Sequence, residues 1–364
     1  MKNLIDFGQN NGVNMLIVEQ FVDESREKPP HDHTIETVLL KNNIKHSFVD
    51  VETALNSNEK FVFILMFRTL IRRYLLELHL EPFLEIDKRI IDCINSDKCI
   101  FYIDALNEVE DYQNIEKPLL LHLAEANIDY KKVNILHRNP ITGKTIFNLI
   151  YWQWCETGQQ FKAPNIDFNK KFQNDYKMFL CLNRYDPNGH KTIFVDEIIK
   201  RNLLSNFNIS LKSRNLNYDV NLETETSDLH EVEDFFSYDN LIFIVTESNF
   251  QDLSFRNISE KTWKPIMLKM PFIIVGDKGT LKTLKHLGYK TFSHMWNEDY
   301  DDCDSEERMA KVCQIVSDLS SMGKEKVKKL IIDNKDILDY NYKHFINRKA
   351  EEEFLDHVQN NLER

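Results

Sequence analysis

The sequence contains no Cys-x-x-Cys pair and no apolar run that approaches 18 residues. Its six cysteines are dispersed, which is typical of reduced thiols and argues against a disulfide framework or a paired-cysteine zinc site. The longest apolar run, Phe61–Phe67, is followed at once by Arg68, so no membrane span is predicted. The first residues also lack the apolar segment of a secretory signal. These absences predict a cytoplasmic protein.

The sequence also has fewer basic than acidic residues. Lys and Arg total 46 against 58 Asp and Glu, which gives a formal net charge of −12. A protein that gains its affinity by neutralising DNA phosphates is usually basic, so DNA is a disfavoured partner. A local basic groove stays open as an alternative, and its candidate side chains are Arg68, Arg72, Arg73, Lys131 and Lys132.

What the chain does have is length and apolar area. Its 364 residues are 42% hydrophobic, which is enough for two domains with their own cores and excludes general disorder. Short apolar runs alternate with helical patterns, and this alternation predicts an α/β fold with mostly parallel sheets. A polar stretch near Pro164 marks the expected linker. We therefore predict an N-terminal α/β domain at 1–165, a C-terminal α/β domain at 166–340 and a helical tail at 341–364.

Polar residues follow two apolar runs of the second half. Arg184 comes directly after the predicted strand KMFLCLN, and His190 and Lys191 open the next predicted helix. Ligands of open α/β sheets bind outside the carboxyl ends of the strands. An arginine there suits a phosphate, and helix N-termini also favour anions.

A second group follows the run NLIFIV, where Glu247 and Asn249 could bind hydroxyls or merely form a turn. Glu260 and Lys261 then stand together behind Ser259, a suitable N-cap. Pro265 leaves two readings of this helix, because it either interrupts a helix that starts at Glu260 or is itself the first helical residue. In both cases Glu260 and Lys261 fall at or just before a helix N-terminus, where a carboxylate suits ribose hydroxyls and a lysine suits a diphosphate.

The order FLCLNRYDPNGHKTIF, IVTESNF and ISEKTWKPIMLKMPFIIVG resembles the donor-binding motif of family 10 glycosyltransferases, the α-fucosyltransferases. It also looks like the fucosyltransferase-like proteins of large DNA viruses and bacteriophages. The resemblance covers roughly Met178–Phe292, about a third of the chain. The family has Glu-Asn-Ser where this chain has Glu247-Ser248-Asn249, a departure that affects the polar roles at that turn.

The resemblance implies a GT-B-like fold, with two Rossmann-like domains facing a cleft and the nucleotide sugar in the C-terminal one. It implies that Glu260 holds the ribose, that Lys261 and Arg184 neutralise the diphosphate, and that Glu247 and Asn249 lie nearby. GDP-fucose is the family's usual donor, a glycan or other hydroxyl compound the acceptor, and no cofactor is obligatory. A viral member would act in the host cytoplasm.

An inverting transfer of a hexosyl or pentosyl group also needs a carboxylate base for the acceptor hydroxyl. The predicted strand CIFYID ends at Asp104 and leads to Glu108, and Glu19 ends another predicted strand, LIVEQ. We prefer Glu108, with Asp104 next. No metal site is predicted, because the pair His31 and His33 lacks a third ligand.

Two alternatives remain open at this point. A viral relative could glycosylate hydroxymethylated bases in DNA, for which it would need the basic groove named above. The chain could also be a non-catalytic module that binds a nucleotide or a glycan and has lost turnover.

Overall fold

The computed structural model describes fourteen segments of the chain. They are residues 15–21, 39–40, 42, 44–66, 86–104, 112–137, 145–151, 164–173, 176–183, 186, 188–217, 235–252, 258–349 and 351–362. The chain divides into two compact units. The first comprises residues 1–157 together with 349–364, and the second comprises 158–348.

The first unit is built on a six-stranded sheet in the order β2-β1-β3-β4-β5-β6, and every neighbouring pair is parallel. Its strands are β1 Met15–Phe21, β2 His46–Phe48, β3 Phe61–Met66, β4 Cys99–Asp104, β5 Val133–His137 and β6 Asn148–Tyr151. All residues of β4 and β5 are buried, as expected for parallel strands covered on both faces.

Helices cover this sheet. The described ones are α1 Val51–Asn56, α2 Lys88–Asn95, α3 Tyr112–Glu125 and, at the far end of the chain, α11 Glu352–Leu362. Asp50 and Asp87 cap α1 and α2, because their carboxylates accept from the amides of Thr53 and Arg89 at 2.7 and 2.8 Å. The core between sheet and helices is filled by side chains such as Phe63, which is fully buried.

The second unit holds a five-stranded sheet in the order β11-β10-β7-β8-β9, parallel except for the short strand β9. Its strands are β7 Lys177–Leu182, β8 Phe207–Leu211, β9 Leu216–Asn217, β10 Asn240–Thr246 and β11 Phe272–Val275. All seven residues of β10 are buried, in keeping with its continuous apolar run near the centre of the sheet.

Seven described α-helices belong to the second unit. They are α4 His190–Lys200, α5 Phe235–Tyr238, α6 Glu260–Met267, α7 Thr280–His286, α8 Ser305–Met322, α9 Lys324–Asp333 and α10 Lys335–Asn347. Helix α6 begins at Glu260 with Ser259 as its N-cap, so Pro265 lies inside the helix and is not its first residue. The first of the two readings of this segment is therefore the one observed.

The C-terminal residues differ from the expected separate tail at 341–364. Helix α10 runs to Asn347 within the second unit, whereas α11 belongs to the first unit and packs on β4 and β6. Apolar side chains of α11, including Phe354 and Leu355, are buried there. The sequence pattern indicates an amphipathic helix, but it does not determine which of the two sheets the apolar face packs against.

The predicted α/β class is confirmed, with two Rossmann-like units of mainly parallel sheet and helices at the C-terminal end. Within the described ranges, no helix has both the length and the apolar character needed to cross a membrane.

Candidate functional site

The carboxyl ends of β7, β8 and β10 are joined by buried hydrogen bonds. Asn183 follows β7, and its amide N–H lies 3.1 Å from the Ser210 carbonyl and 3.0 Å from the Ser210 hydroxyl in β8. The Thr246 hydroxyl, at the end of β10, donates to the side-chain oxygen of Asn183. These bonds fix the ends of the three strands relative to one another.

Glu247 is the first residue after β10 and is almost completely buried. Its Oε1 accepts from the Ser259 amide at 3.2 Å and from the Thr262 hydroxyl at 2.5 Å, while Oε2 accepts from the Ser259 hydroxyl. Its own amide donates to the Val275 carbonyl at 2.9 Å. The Glu247 carboxylate is therefore turned toward the first turn of α6, and it fixes that turn to the strand end.

Glu260 and Lys261 occupy the first turn of α6, partly open to solvent. Lys261 Nζ lies 2.6 Å from Glu260 Oε1 and 3.2 Å from the Ser248 hydroxyl. The side chain of Lys261 is 25% exposed and that of Glu260 is 14% exposed. The Ser259 hydroxyl accepts from the Lys261 amide at 3.3 Å and caps the helix. The pair is thus held in place and remains accessible at the sheet edge.

The ionisation of Glu260 follows from its neighbours. Burial raises the pKa of the Glu260 carboxyl, but the charge and hydrogen bond of Lys261 and the charge of Lys264 outweigh it and lower the pKa to about 2. Glu260 is therefore a carboxylate at neutral pH and can accept hydrogen bonds from hydroxyl groups.

The start of α4 lies against the same turn. His190 is buried, its Nε2 donates to the Glu247 carbonyl at 2.9 Å, and its ring stacks on Phe250 with centroids 5.5 Å apart. Asn188 donates to the Ser248 carbonyl at 2.9 Å. Burial lowers the pKa of His190, so its imidazole is neutral and serves to fix the backbone at Glu247 and Ser248.

Lys191 brings a second ammonium group to this edge. It is only 6% exposed, and its pKa is lowered first by burial and next by the positive charge of Lys261. The Asp186 carboxylate accepts from the amides of Lys191 and Thr192, so it already occupies these N-terminal groups of α4. Among the described residues, Lys191 and Lys261 therefore bring positive charge from two different helices, whereas the amides of Lys191 and Thr192 are already occupied.

The structure brings together three of the residues singled out in the sequence, Glu247, Glu260 and Lys261. Asn249 lies half-buried two residues beyond Glu247 in the same loop. Ser259 and Thr262 complete the cluster through their hydrogen bonds to Glu247, and the charge of Lys261 acts on Lys191. The sequence gives a signal for Ser259, as an N-cap, but none for the pairing of Lys191 with Lys261, which are seventy positions apart.

Of the other predicted site and groove residues, the structure describes Asp104, Lys131 and Lys132. Asp104 ends β4 in the first unit, where it is buried and lies opposite Leu136 of β5. Glu108 and Arg184 lie outside the described residues, as do Arg68, Arg72 and Arg73. Of the remaining basic candidates, Lys132 is paired with Asp97 at 2.6 Å. No group of three or more metal-ligating side chains occurs within the described segments.

No family model and no curated protein matches this sequence. Among solved structures, the chain is similar to an α1,3-fucosyltransferase, with a TM-score of 0.47 and 9% identity over 96% of this chain and 90% of the other. An α1,3-fucosyltransferase with GDP gives 0.43 and 9% identity over 96% and 91%. The glycotransferase of kitacinnamycin gives 0.39 and 9% identity over 96% and 99%.

Proposed function

We propose that the protein is a glycosyltransferase that moves a sugar from a nucleotide diphosphate sugar to an acceptor hydroxyl. The observation that supports this most is the pairing of Lys261 with Glu260 at the carboxyl edge of a parallel sheet, to which the first turn of α4 adds Lys191. Lys261 is close enough for its charge to lower the pKa of Lys191. A ligand with more than one negative charge would interact favourably with both ammonium groups.

The chemistry of a nucleoside diphosphate matches this edge in two parts. The diphosphate would take the ammonium groups of Lys191 and Lys261. The ribose hydroxyls would donate to Glu260, whose Oε1 already accepts from Lys261 and whose low pKa keeps it ionised. Asn249 and Arg184 are proposed as further donor contacts. Glu247 would act as a positioning residue, since both of its oxygens bind Ser259 or Thr262.

The proposed reaction inverts the anomeric carbon. The acceptor oxygen attacks that carbon, its proton passes to a carboxylate base, and the bond between the carbon and the diphosphate oxygen breaks. Positive side chains can stabilise the charge that develops on the departing diphosphate, so the step needs no obligatory metal. Asp104 and Glu108 of the first unit are proposed for the base.

The sugar is proposed to be fucose carried by GDP, on the resemblance of the segment that contains Glu260 and Lys261 to the α-fucosyltransferases. A different hexosyl or pentosyl donor would use the same diphosphate and ribose contacts. The acceptor is proposed to be a glycan hydroxyl.

Calorimetric titration of the full chain tests the proposal. GDP, UDP, ADP and the matching monophosphates are titrated into the wild type, Lys191→Met, Lys261→Met and a control, Lys212→Met, which alters an exposed lysine of the same unit. We expect one nucleoside diphosphate to bind, with affinity reduced at least about tenfold in the first two variants, since a charge-assisted hydrogen bond contributes about 1.5–3 kcal/mol. The control should bind like the wild type.

Release of the diphosphate from the matching nucleotide sugar, with and without glycan acceptors, then tests turnover. Binding without any transfer would favour the non-catalytic module. A folded protein that binds no nucleotide would overturn the proposed function altogether.

A further inference from the structure

A cavity of about 540 Å³ lies in the second unit between α4 and α8. Its volume falls within the range of small-molecule sites, about 300–1,000 Å³. None of the proposed donor contacts lines it. The lining residues are Asn188, His190, Ile193, Glu197, Arg201, Phe250, Ser305, Glu306, Met309, Ala310 and Cys313.

The floor of the cavity is apolar and fixed. Met309 and Cys313 of α8 are buried, whereas Ile193 of α4 is 54% exposed although it is large and apolar. Phe250 is held by the stacked His190 ring and by the Arg308 guanidinium, whose Cζ lies 4.4 Å from the ring centroid. An apolar chain placed here would cover the exposed surface of Ile193 and contact a preformed wall.

The charged side chains of the cavity favour a cation. The guanidinium of Arg201 donates to the Ser317 hydroxyl at 3.0 Å and lies 3.6 Å from Glu197 Oε2, so its charge is already compensated. Glu306 is exposed at the first turn of α8, and within the described part of the chain it has neither an ion-pair nor a hydrogen-bond partner. The lining side chains thus carry two carboxylates, Glu197 and Glu306, against one guanidinium, whereas Lys200, which lies 3.0 Å from Glu197, is not part of the lining.

We propose that this cavity binds a small amphipathic cation, a primary ammonium group on an unbranched apolar chain. The ammonium group takes the Glu306 carboxylate, and the chain lies over Ile193 and Met309. An alcohol with the same chain would gain only the apolar contacts, and a carboxylate would be repelled by Glu306. The proposed function is not needed for this inference.

The cavity has one consequence for the neighbouring cluster. Asn188 and His190 line it, and the same two side chains hold the carbonyls of Ser248 and Glu247. An occupant therefore contacts the residues that hold the backbone of Glu247 and Ser248. If the proposed function holds, amine and nucleoside diphosphate binding should be linked, and by an equal factor in both directions.

Methyl NMR of the full chain tests the cavity without any nucleotide. The methionines are labelled with ¹³C at the methyl carbon, and the Met309 signal is assigned with Met309→Leu. Hexylamine, hexanol and hexanoate are titrated at fixed pH and ionic strength. We expect hexylamine to shift the Met309 signal saturably and to bind at least about threefold more tightly than hexanol, in line with an exposed charge pair. Hexanoate should bind most weakly of the three.

Paired variants separate this site from general surface charge. Glu306→Gln should weaken hexylamine binding about threefold to fivefold, whereas Glu307→Gln, one residue on and outside the cavity, should not. Ala310→Trp fills the cavity from an exposed position and should abolish the Met309 shift. Equal binding of amine and alcohol, equal losses in both glutamate variants, or undiminished binding in Ala310→Trp would each overturn the proposal.

Discussion

The hydroxyl of Ser259 donates a hydrogen bond of 2.5 Å to the carboxylate of Glu247, although twelve positions separate the two residues. The bond joins the N-cap of α6 to the end of β10. Both groups are buried, so it lies where water does not compete for either partner. The positions of Glu260 and Lys261 therefore depend on Glu247, which is itself almost completely buried.

Replacing Glu247 by Gln should destabilise the second unit. One of the two acceptor oxygens becomes an amide that faces the Ser259 and Thr262 donors, and a buried donor without an acceptor costs about 1–3 kcal/mol. Chemical denaturation followed by fluorescence measures the loss. Glu307→Gln, at an exposed position of α8, is the control and should stay within about 0.5 kcal/mol of the wild type. Equal stability of both variants would contradict the anchoring role.

Replacing Lys261 by Met should change the titration of Glu260. In the wild type the folded pKa is about 2 against an ordinary 4.5, so the ionised carboxylate stabilises the fold above about pH 4.5, and this contribution is lost as the pH falls from 4.5 toward 2. Without the lysine, the charge and the hydrogen bond that contribute most to lowering the pKa are lost, and we expect the Glu260 pKa to rise. Carboxyl ¹³C NMR, with the signal assigned by Glu260→Gln, measures the pKa. A value still near 2 would show that Lys261 does not hold the charge.

Lys171 should make the second unit more stable at high pH. Its ammonium has no hydrogen-bond acceptor among the described residues and lies 5.7 and 5.9 Å from the ring centroids of Phe168 and Phe172. Burial first, and then the charge of Lys269, lowers its pKa to about 7 from 10.5. Between these values the unfolded chain binds more protons than the fold, so stability should rise with pH by up to about 1.4 kcal/mol per unit.

The matched variants for this prediction are neighbours in the chain. Lys171→Met removes the buried charge, so it should raise stability at pH 7 and abolish the rise between pH 7 and 10.5. Lys170→Met alters an exposed lysine and should keep the wild-type pH dependence. Urea denaturation at several pH values measures both, and identical profiles for the two variants would refute the assignment.

Acid should loosen helix α11 from the first unit. His357 Nδ1 lies 2.6 Å from the Tyr102 hydroxyl, and Nε2 lies 3.1 and 3.3 Å from the side-chain nitrogens of Asn148 and Asn361. Because these amides donate, Nε2 is the acceptor of a neutral ring and Nδ1 carries the proton. A second proton on Nε2 would face two donors.

Burial lowers the pKa of His357 below its ordinary 6.5. The stabilisation is therefore complete above about pH 6.5 and is lost as the pH falls below it. Amide hydrogen exchange in 352–362, corrected for its intrinsic pH dependence, should speed up in this range by up to about tenfold per pH unit. His357→Asn should remove the effect, whereas His286→Asn, at an exposed site of the second unit, should retain it.

Much of the fold could be predicted from local pattern. Apolar runs such as Asn240–Thr246 form buried parallel strands because only a strand covered on both faces accommodates so many β-branched and apolar side chains in succession. The N-cap role of Ser259 was predictable, since a serine before a helix satisfies an amide that the helix leaves unpaired, whereas the effect of Pro265 on the start of α6 was not. The direction of the Glu247 side chain was not predictable, because it depends on where the chain returns twelve positions later.

The sequence by itself determined the α/β class, the positions of most described strands, and the presence of an acid and a base at the entrance of α6. These are local properties, set by periodicity and by capping. Only the tertiary structure decided that Lys191 lies near Lys261, that Glu247 points inward, and that α11 joins the first unit. Each of these depends on packing between segments that are far apart in the chain. Burial and charge act there through space, so the residues adjacent in sequence give no indication of the contact.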